Sequence, residues 1–232
     1  MITHKQQTAS SHGFTIIESL IAIAVVGILM TAIAPVIVLS VGNRVQARRI
    51  ELATGAARTY IDGVRNGTIQ PPQHIIPLNE VYTSGTTRQF NSQRNIFADA
   101  AVPTPRSFAC LKTTDGFPYC QNNSISSLYC YDFEGNGCSS DSVKDFVIQA
   151  FRSTSQTSTN SEKGYLLGVR VYRADAFSDG IPLRTQKQTG TKQATFTGGL
   201  GDRKAPLIEI TTEISSQQTR LRDFCDRLGG CQ

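Results

Sequence analysis

The pattern of apolar and polar positions changes character three times along the chain. Between Glu18 and Arg44 lie 25 consecutive residues without an ionisable side chain, and residues 20–41 are apolar on every side apart from Thr31 and Ser40. A helix in a soluble core would show a polar stripe. At about 1.5 Å per residue this segment outreaches a hydrocarbon layer of about 30 Å, so the pattern predicts a membrane span. Past Arg44 it becomes amphipathic: Leu52 and Ala53, Ala56 and Ala57, Tyr60 and Ile61, then Val64 recur every three to four residues until Asn66-Gly67. One helix over residues 14–64 is predicted, about 75 Å long, with its second half packed on a domain. Pro35 would kink it, and Gly42, Gly55 and Gly63 weaken it locally.

Residues 68–106 read as loop-rich, with Pro71-Pro72, Pro77, the polar run "TSGTTRQFNSQRN", Pro103 and Pro105, and no site is expected there. Strand alternation follows. In "YLLGVRVYR" Tyr165, Leu167, Val169 and Val171 share one face, and in "LIEITTEI" Ile208, Ile210, Thr212 and Ile214 oppose Glu209, Thr211 and Glu213. These predict antiparallel strands with one wet face. Residues 145–151 and 193–197 are less regular strand candidates, "GGLGD" is a turn, and no internal repeat is visible. The expected fold is α+β, a long N-terminal helix packed on an antiparallel β-sheet domain with disulfide-stapled loops.

Charge and composition narrow the function. The 23 basic and 18 acidic residues leave a net charge of +5 scattered along the chain, which argues against nucleic-acid binding. All six cysteines, Cys110, Cys120, Cys130, Cys138, Cys225 and Cys231, follow the apolar span, which suits an oxidising exterior. They are disulfide candidates with 15 possible pairings; the simplest joins neighbour to neighbour and leaves "CDRLGGC" as a stapled tail turning at Gly229-Gly230. No CxxC spacing or histidine group points to zinc, so no metal and no cofactor is expected. "DFEGNGCSSD", residues 132–141, resembles a calcium loop, but its twelfth position is Val143 rather than a bidentate Glu, and an acidic turn is the better reading. Beyond residue 13 the only histidine is His74, no nucleophile or phosphate-binding motif occurs, and no catalytic residue is assigned.

Residues 1–13 form a polar leader ending in Gly13, directly ahead of the apolar run. A secretory signal peptide would be cut after its apolar core, near small residues. This arrangement resembles the class III signal of type IV prepilins and type II secretion pseudopilins. The resemblance runs through Gly13, Phe14, Thr15, Ile16, Ile17 and Glu18, and extends to Pro35. It implies that a prepilin peptidase cuts between Gly13 and Phe14, that Phe14 is then N-methylated, and that Pro35 kinks the helix. It also implies the partners: other pilins or pseudopilins and an inner-membrane assembly platform. The divisions are then a leader (1–13), a transmembrane or filament-core helix (14–43), its amphipathic continuation (44–66) and a periplasmic or extracellular β-rich domain (67–232). Placement is in the inner membrane, single-pass, followed by incorporation into a filament. The positive-inside rule is neutral, with Lys5 on one side and Arg44, Arg48 and Arg49 on the other.

Glu18 is the anomaly in the apolar run. A carboxylate deep in hydrocarbon costs about 2.5 to 3.5 kcal/mol, so it calls for a partner. In the family this acid pairs with the N-terminal amine of a neighbouring subunit, here the amine of Phe14. The competing reading is that Glu18 snorkels to the headgroups or caps the positive end of its own helix dipole. The function implied is that of a minor pilin or pseudopilin, a structural filament subunit serving secretion or surface motility. The alternative is a pilus-anchored adhesin or polysaccharide-binding module. A narrower resemblance, carried by "VQARRIELATGAARTYIDGVRNG", "YLLGVRVYRADAF" and "CDRLGGC", is to the pseudopilins of hormogonium polysaccharide secretion in filamentous cyanobacteria.

Overall fold

Helix α1 runs over Ile16–Arg65. The computed structural model describes residues 13, 15–77, 80–83, 87–90, 97, 100–105, 109–110, 119–121, 127–154, 160–185 and 201–228. Thr15 caps α1: its hydroxyl accepts the Glu18 N–H at 3.3 Å and its carbonyl accepts the Ser19 N–H at 3.1 Å. Polar side chains inside the apolar half are satisfied by the helix itself. Ser19 donates to the Ile16 carbonyl and Thr31 to the Ile28 carbonyl, each at 2.8 Å, so neither hydroxyl is left bare in an apolar surrounding. Pro35 lies inside α1, which continues through it with one backbone bond fewer. The helix ends where Gly67 turns left-handed at φ 75°, a conformation that glycine adopts without steric penalty.

Two compact units divide the chain, Met1–Gly42 and Asn43–Gln232. The first is the apolar half of α1, in which every residue from 15 to 41 is exposed. The second holds the rest of α1 and a seven-stranded sheet of β1 (Ile75–Pro77), β4 (Ala109–Cys110), β5 (Tyr119–Gln121), β6 (Ser127–Tyr131), β7 (Phe146–Thr154), β8 (Tyr165–Arg173) and β9 (Ile208–Ile214). The order is β4-β5-β6-β7-β8-β9, antiparallel throughout. Strand β1 pairs in parallel with the end of β7, Ile75 opposite Arg152, after β6 has stopped at Ala150, so the sheet is mixed rather than purely antiparallel. Strands β2 (Glu80–Thr83) and β3 (Thr87–Phe90) form a separate hairpin, and helix α2 covers Leu221–Leu228.

The core follows from two periods meeting. Ala53, Ala56, Ala57, Tyr60, Ile61 and Val64 form the inner stripe of α1, and they pack on Phe146, Ile148, Ala150, Tyr165, Leu167, Val169 and Val171. The alanines let the helix lie close on the sheet, while Tyr60 meets Tyr129 with ring centroids 4.8 Å apart. Gly63, expected to weaken the helix, is a contact point instead. Ile69 folds back, donating to the Gly63 carbonyl at 3.0 Å, and a Cβ on residue 63 would stand 2.6 Å from Ile69 Cδ1.

The loop-rich segment 68–106 also carries the short strands β1, β2 and β3; Pro77 is tolerated because β1 is a three-residue strand at a sheet margin. One expectation needs correction: strand β8 has no wet face, all nine residues being buried. Its second face is covered by Phe97, Ala100 and Val102 and by residues 174–183: Leu166 packs with Ile76, Ala100 and Phe151, and Tyr172 packs with Val147, Phe177 and Leu183. The strand at 145–151 is found as β7, whereas the candidate at 193–197 lies outside the described residues.

Candidate functional site

The chemistry flagged in the sequence is concentrated at the start of α1. Glu18 is the third helical residue after the Thr15 cap, so "TIIE" has the spacing of a capping box, in which the third-residue acid faces back toward the cap. Sequence reasoning named Thr15 only as part of the resemblance and gave it no capping role, although its spacing from Glu18 was the available signal. The carboxylate of Glu18 takes part in none of the ion pairs among the described residues. Around and beyond it the helix is bare: Ile16 is 83 % exposed, Met30 68 % and Val38 70 %. This half of α1 is long and apolar enough to cross a membrane, and none of its apolar stretch is buried by the chain. Such a surface is stable only against lipid or other apolar helices. Gly13 is exposed beside the helix start; Phe14 lies outside the described residues.

Residues 8–34 match the model of the prokaryotic N-terminal methylation motif. This match supports the resemblance of the amino-terminal segment to type IV pilins and pseudopilins. No curated protein and no solved structure is matched by the chain. The matched segment spans Gly13, Phe14 and Glu18 and stops one residue short of Pro35. This pilin-type motif belongs to a structural family, and in general it implies processing by a prepilin peptidase and assembly with other pilins.

The remaining flagged residues lie in the second unit. Cys130 is bonded to Cys138, with Cα atoms 6.2 Å apart, which is one of the neighbour pairings. Cys110 and Cys120 are directly opposite in the β4–β5 register, and Cys225 is disulfide-bonded; Cys231 lies outside the described residues. The acidic turn is organised from within. The Asp132 carboxylate accepts backbone N–H groups from Glu134, Gly135 and Gly137, while Asp145 accepts from Phe133 and Ser139. Amides pointing at both carboxylates spend the oxygens that a cation would need. Burial pushes the Asp145 carboxyl up from its ordinary value, and the Asp132 charge adds to that push. Among the described residues no group of three or more His, Cys, Asp or Glu is placed to hold a metal ion.

The charged group that sequence reasoning missed is Arg170. It is fully buried, donates through Nε to Glu209 at 2.9 Å and through Nη1 to the Ala100 carbonyl at 2.8 Å and Gln149 Oε1 at 3.3 Å, and also bonds the Phe97 carbonyl. Its guanidinium carbon stands 5.4 Å from the Phe97 ring centre and 5.6 Å from that of Phe151. It ties Phe97 and Ala100 over the sheet. No local signal in "YLLGVRVYR" distinguishes this buried Arg from an exposed one.

Proposed function

We propose that this protein is a minor pilin or pseudopilin, held in the inner membrane by the apolar half of α1 until an assembly platform feeds it into a filament serving secretion or motility. The observation that carries the reading is the coincidence of the 8–34 motif with a helix whose apolar half is exposed all round and interrupted by one acid, Glu18. In the filament, Glu18 pairs with the cationic amine of a neighbour's Phe14. A paired charge in an apolar surrounding is tolerated and an unpaired one is not, so the acid selects the register of docking. The Thr15 cap supports this by fixing the first turn on which Glu18 sits. The narrower resemblance to hormogonium polysaccharide pseudopilins gains no support from the matched motif.

The test is mass spectrometry of the protein extracted from membranes. Phe14 is expected as the first residue, N-methylated; an intact Met1, or a cut beyond the apolar run, overturns the reading. Deleting the gene and assaying export and surface attachment separately then distinguishes a secretion filament from an adhesin.

A further inference from the structure

The end of the second unit at which α1 enters it holds polar groups that the chain leaves unsatisfied. Arg49 of α1 lies within electrostatic reach of Arg173 and Asp175 at the end of β8, and Asn43 stands two three-residue steps earlier on the same helix. Arg173 and Asp175 are bonded to each other. Among the described residues Arg49 Nη1, Arg173 Nε, Asp175 Oδ1 and Asn43 Oδ1 are nevertheless buried without a hydrogen-bond partner. Arg173 and Asp175 are only 8 % and 7 % exposed, so bulk water does not meet the need, and bare buried donors are costly. Burial and the like charge of Arg173 push the Arg49 guanidinium below its ordinary value, with Asp175 opposing. Two guanidiniums share one carboxylate here, and the Asp145 carboxylate next along is taken by the amides of Phe133 and Ser139. The same end is apolar at its tips. Tyr131, Phe146 and Arg173 form one row across β6, β7 and β8, so the turn 132–145 and the loop after Arg173 leave the sheet there. Of the five large apolar side chains exposed beyond α1 among the described residues, Phe133 and Val143 stand on that turn and Ile181 on that loop.

We propose that this end of the domain is a binding site for a phospholipid head group, in which Arg49 and Arg173 take the phosphate while Asp175 and Asn43 accept from hydroxyls of the head group. Guanidinium donors match a phosphate in geometry and charge. Arg49 follows Val41, where the apolar run ends, by eight residues, about 12 Å along the helix, and helical side chains lean back toward the N-terminus. The headgroup layer occupies about 5–8 Å beyond the hydrocarbon, so guanidinium and phosphate meet near its outer edge. Phe133, Val143 and Ile181 then rest in the interface. The unpartnered acceptors select among lipids. A glycerol head group brings hydroxyl donors and a net negative charge, ethanolamine brings donors without net charge, and choline brings no donor at all. An acidic segment of another protein satisfies the guanidiniums but not the acceptors, and it has no reason to lie at this depth. The proposal rests on the membrane-held state proposed above and is independent of how copies pack.

The experiment extracts the full chain in mild detergent from bilayers of equal parts phosphatidylglycerol, phosphatidylethanolamine and phosphatidylcholine and counts the retained lipid by mass spectrometry. Phosphatidylglycerol is expected to be retained about fivefold over phosphatidylcholine, the worth of one basic residue at an anionic surface, with phosphatidylethanolamine between them. Arg49→Gln should bring the ratio to near one, and Arg49→Lys should keep part of it. Arg48→Gln, which alters an exposed neighbour, should leave it unchanged. The chain contains no tryptophan, so Phe133→Trp is a single reporter whose emission lipids brominated near the head group should quench. Formation of the Cys130–Cys138 bond reports that each variant has folded. Equal retention of the three lipids, a ratio that Arg48→Gln lowers as far as Arg49→Gln does, or no quenching in Phe133→Trp overturns the proposal. So does marking of a protein and not of lipid by a photoreactive residue at Val143, or displacement of the glycerol lipid by an equal concentration of inorganic phosphate, which would make the site one for free phosphate. A chain that is not held in bilayers overturns the membrane-held state first; a chain held there with Phe14 as its first residue and no lipid preference overturns this proposal alone.

Discussion

Gly168 and Phe151 are cross-strand partners in β7 and β8, and the Phe151 ring lies over the glycine so closely that a Cβ on residue 168 would stand 2.2 Å from ring atom Cε2. Gly168→Ala is therefore expected to force the ring aside and cost about 1–3 kcal/mol, as overpacking does. Thermal unfolding of the detergent-solubilised chain measures it. Phe151→Leu in the same background should recover part of the loss.

The buried pair Arg170 and Glu209 gives a larger effect. Glu209 has a side chain only 7 % exposed, so Arg170→Ala takes the guanidinium away from this buried carboxylate as well as from the carbonyls of Phe97 and Ala100. Removing one partner of such a pair costs about 3–5 kcal/mol. Adding Glu209→Gln removes the buried charge and should return part of the stability. Protection of the backbone at Ala100 and Ala101 in hydrogen exchange should be lost in the single variant.

Most of the architecture could be read from periodicity, because α1 and β8 are long and their patterns are unmixed. The inner stripe from Ala53 to Val64 and the alternation from Tyr165 to Val171 each named the residues that meet in the core. What escaped the reading depends on contacts distant in sequence. Arg170 looks like a surface residue until Phe97 and Ala100 lie over it, and β1 becomes a strand only because β7 outruns β6. The disulfide at Cys130 and Cys138 was one of several open pairings until the register of β6 beside β7 placed the acidic turn. Gly13 and Glu18 were legible because the motif is local; among the described residues Glu18 takes part in no ion pair.

Alkaline pH should loosen the fold through its buried tyrosines. Burial pushes the Tyr165 hydroxyl from an ordinary value of 10.0 up to about 12, while the Arg152 guanidinium 5.8 Å from its ring centre opposes the shift. A raised folded-state value means that the native form holds the proton more tightly. Its stabilising contribution is intact below pH 10 and is lost as the pH rises from 10.0 toward about 12. Tyr60 and Tyr172 are shifted in the same direction. Tyr165→Phe should flatten the decline of melting temperature with pH in that window without a penalty at neutral pH, since the Tyr165 hydroxyl has no hydrogen-bond partner among the described residues.

Cys130→Ser is expected to lower stability by about 2–4 kcal/mol, the usual worth of a native disulfide. Cys130 is fully buried beside Leu128 and Val147, so a hydroxyl there adds a desolvation penalty. Cys138→Ser should cost less, because Cys138 is only partly buried. Denaturant unfolding with and without a reductant separates the two effects.

Glu18→Ala should leave membrane insertion unchanged or improved, since it removes a charge from an apolar run, while incorporation into filaments fails. Glu18→Gln keeps shape and hydrogen bonding but not charge, and charge-assisted contacts are about twice as strong as neutral ones, so a partial defect is expected. A Glu18 that only caps its own helix dipole is worth about 0.3–1 kcal/mol, and both variants would then assemble normally. Recovery with filament partners from crosslinked membranes decides between them.

The bare apolar half of α1 has a consequence for how such a subunit could change place. Residues 15–41 bury nothing within the chain, whereas the fold of residues 43–232 draws its core from Ala53 onward. On the proposed filament reading, transfer from bilayer to a bundle of like helices would be a change of solvent for that one segment, with the folded part carried along as unaltered cargo. The work of such a transfer would be set by helix-to-lipid against helix-to-helix contact and by the one charge at Glu18, and not by any unfolding of the domain.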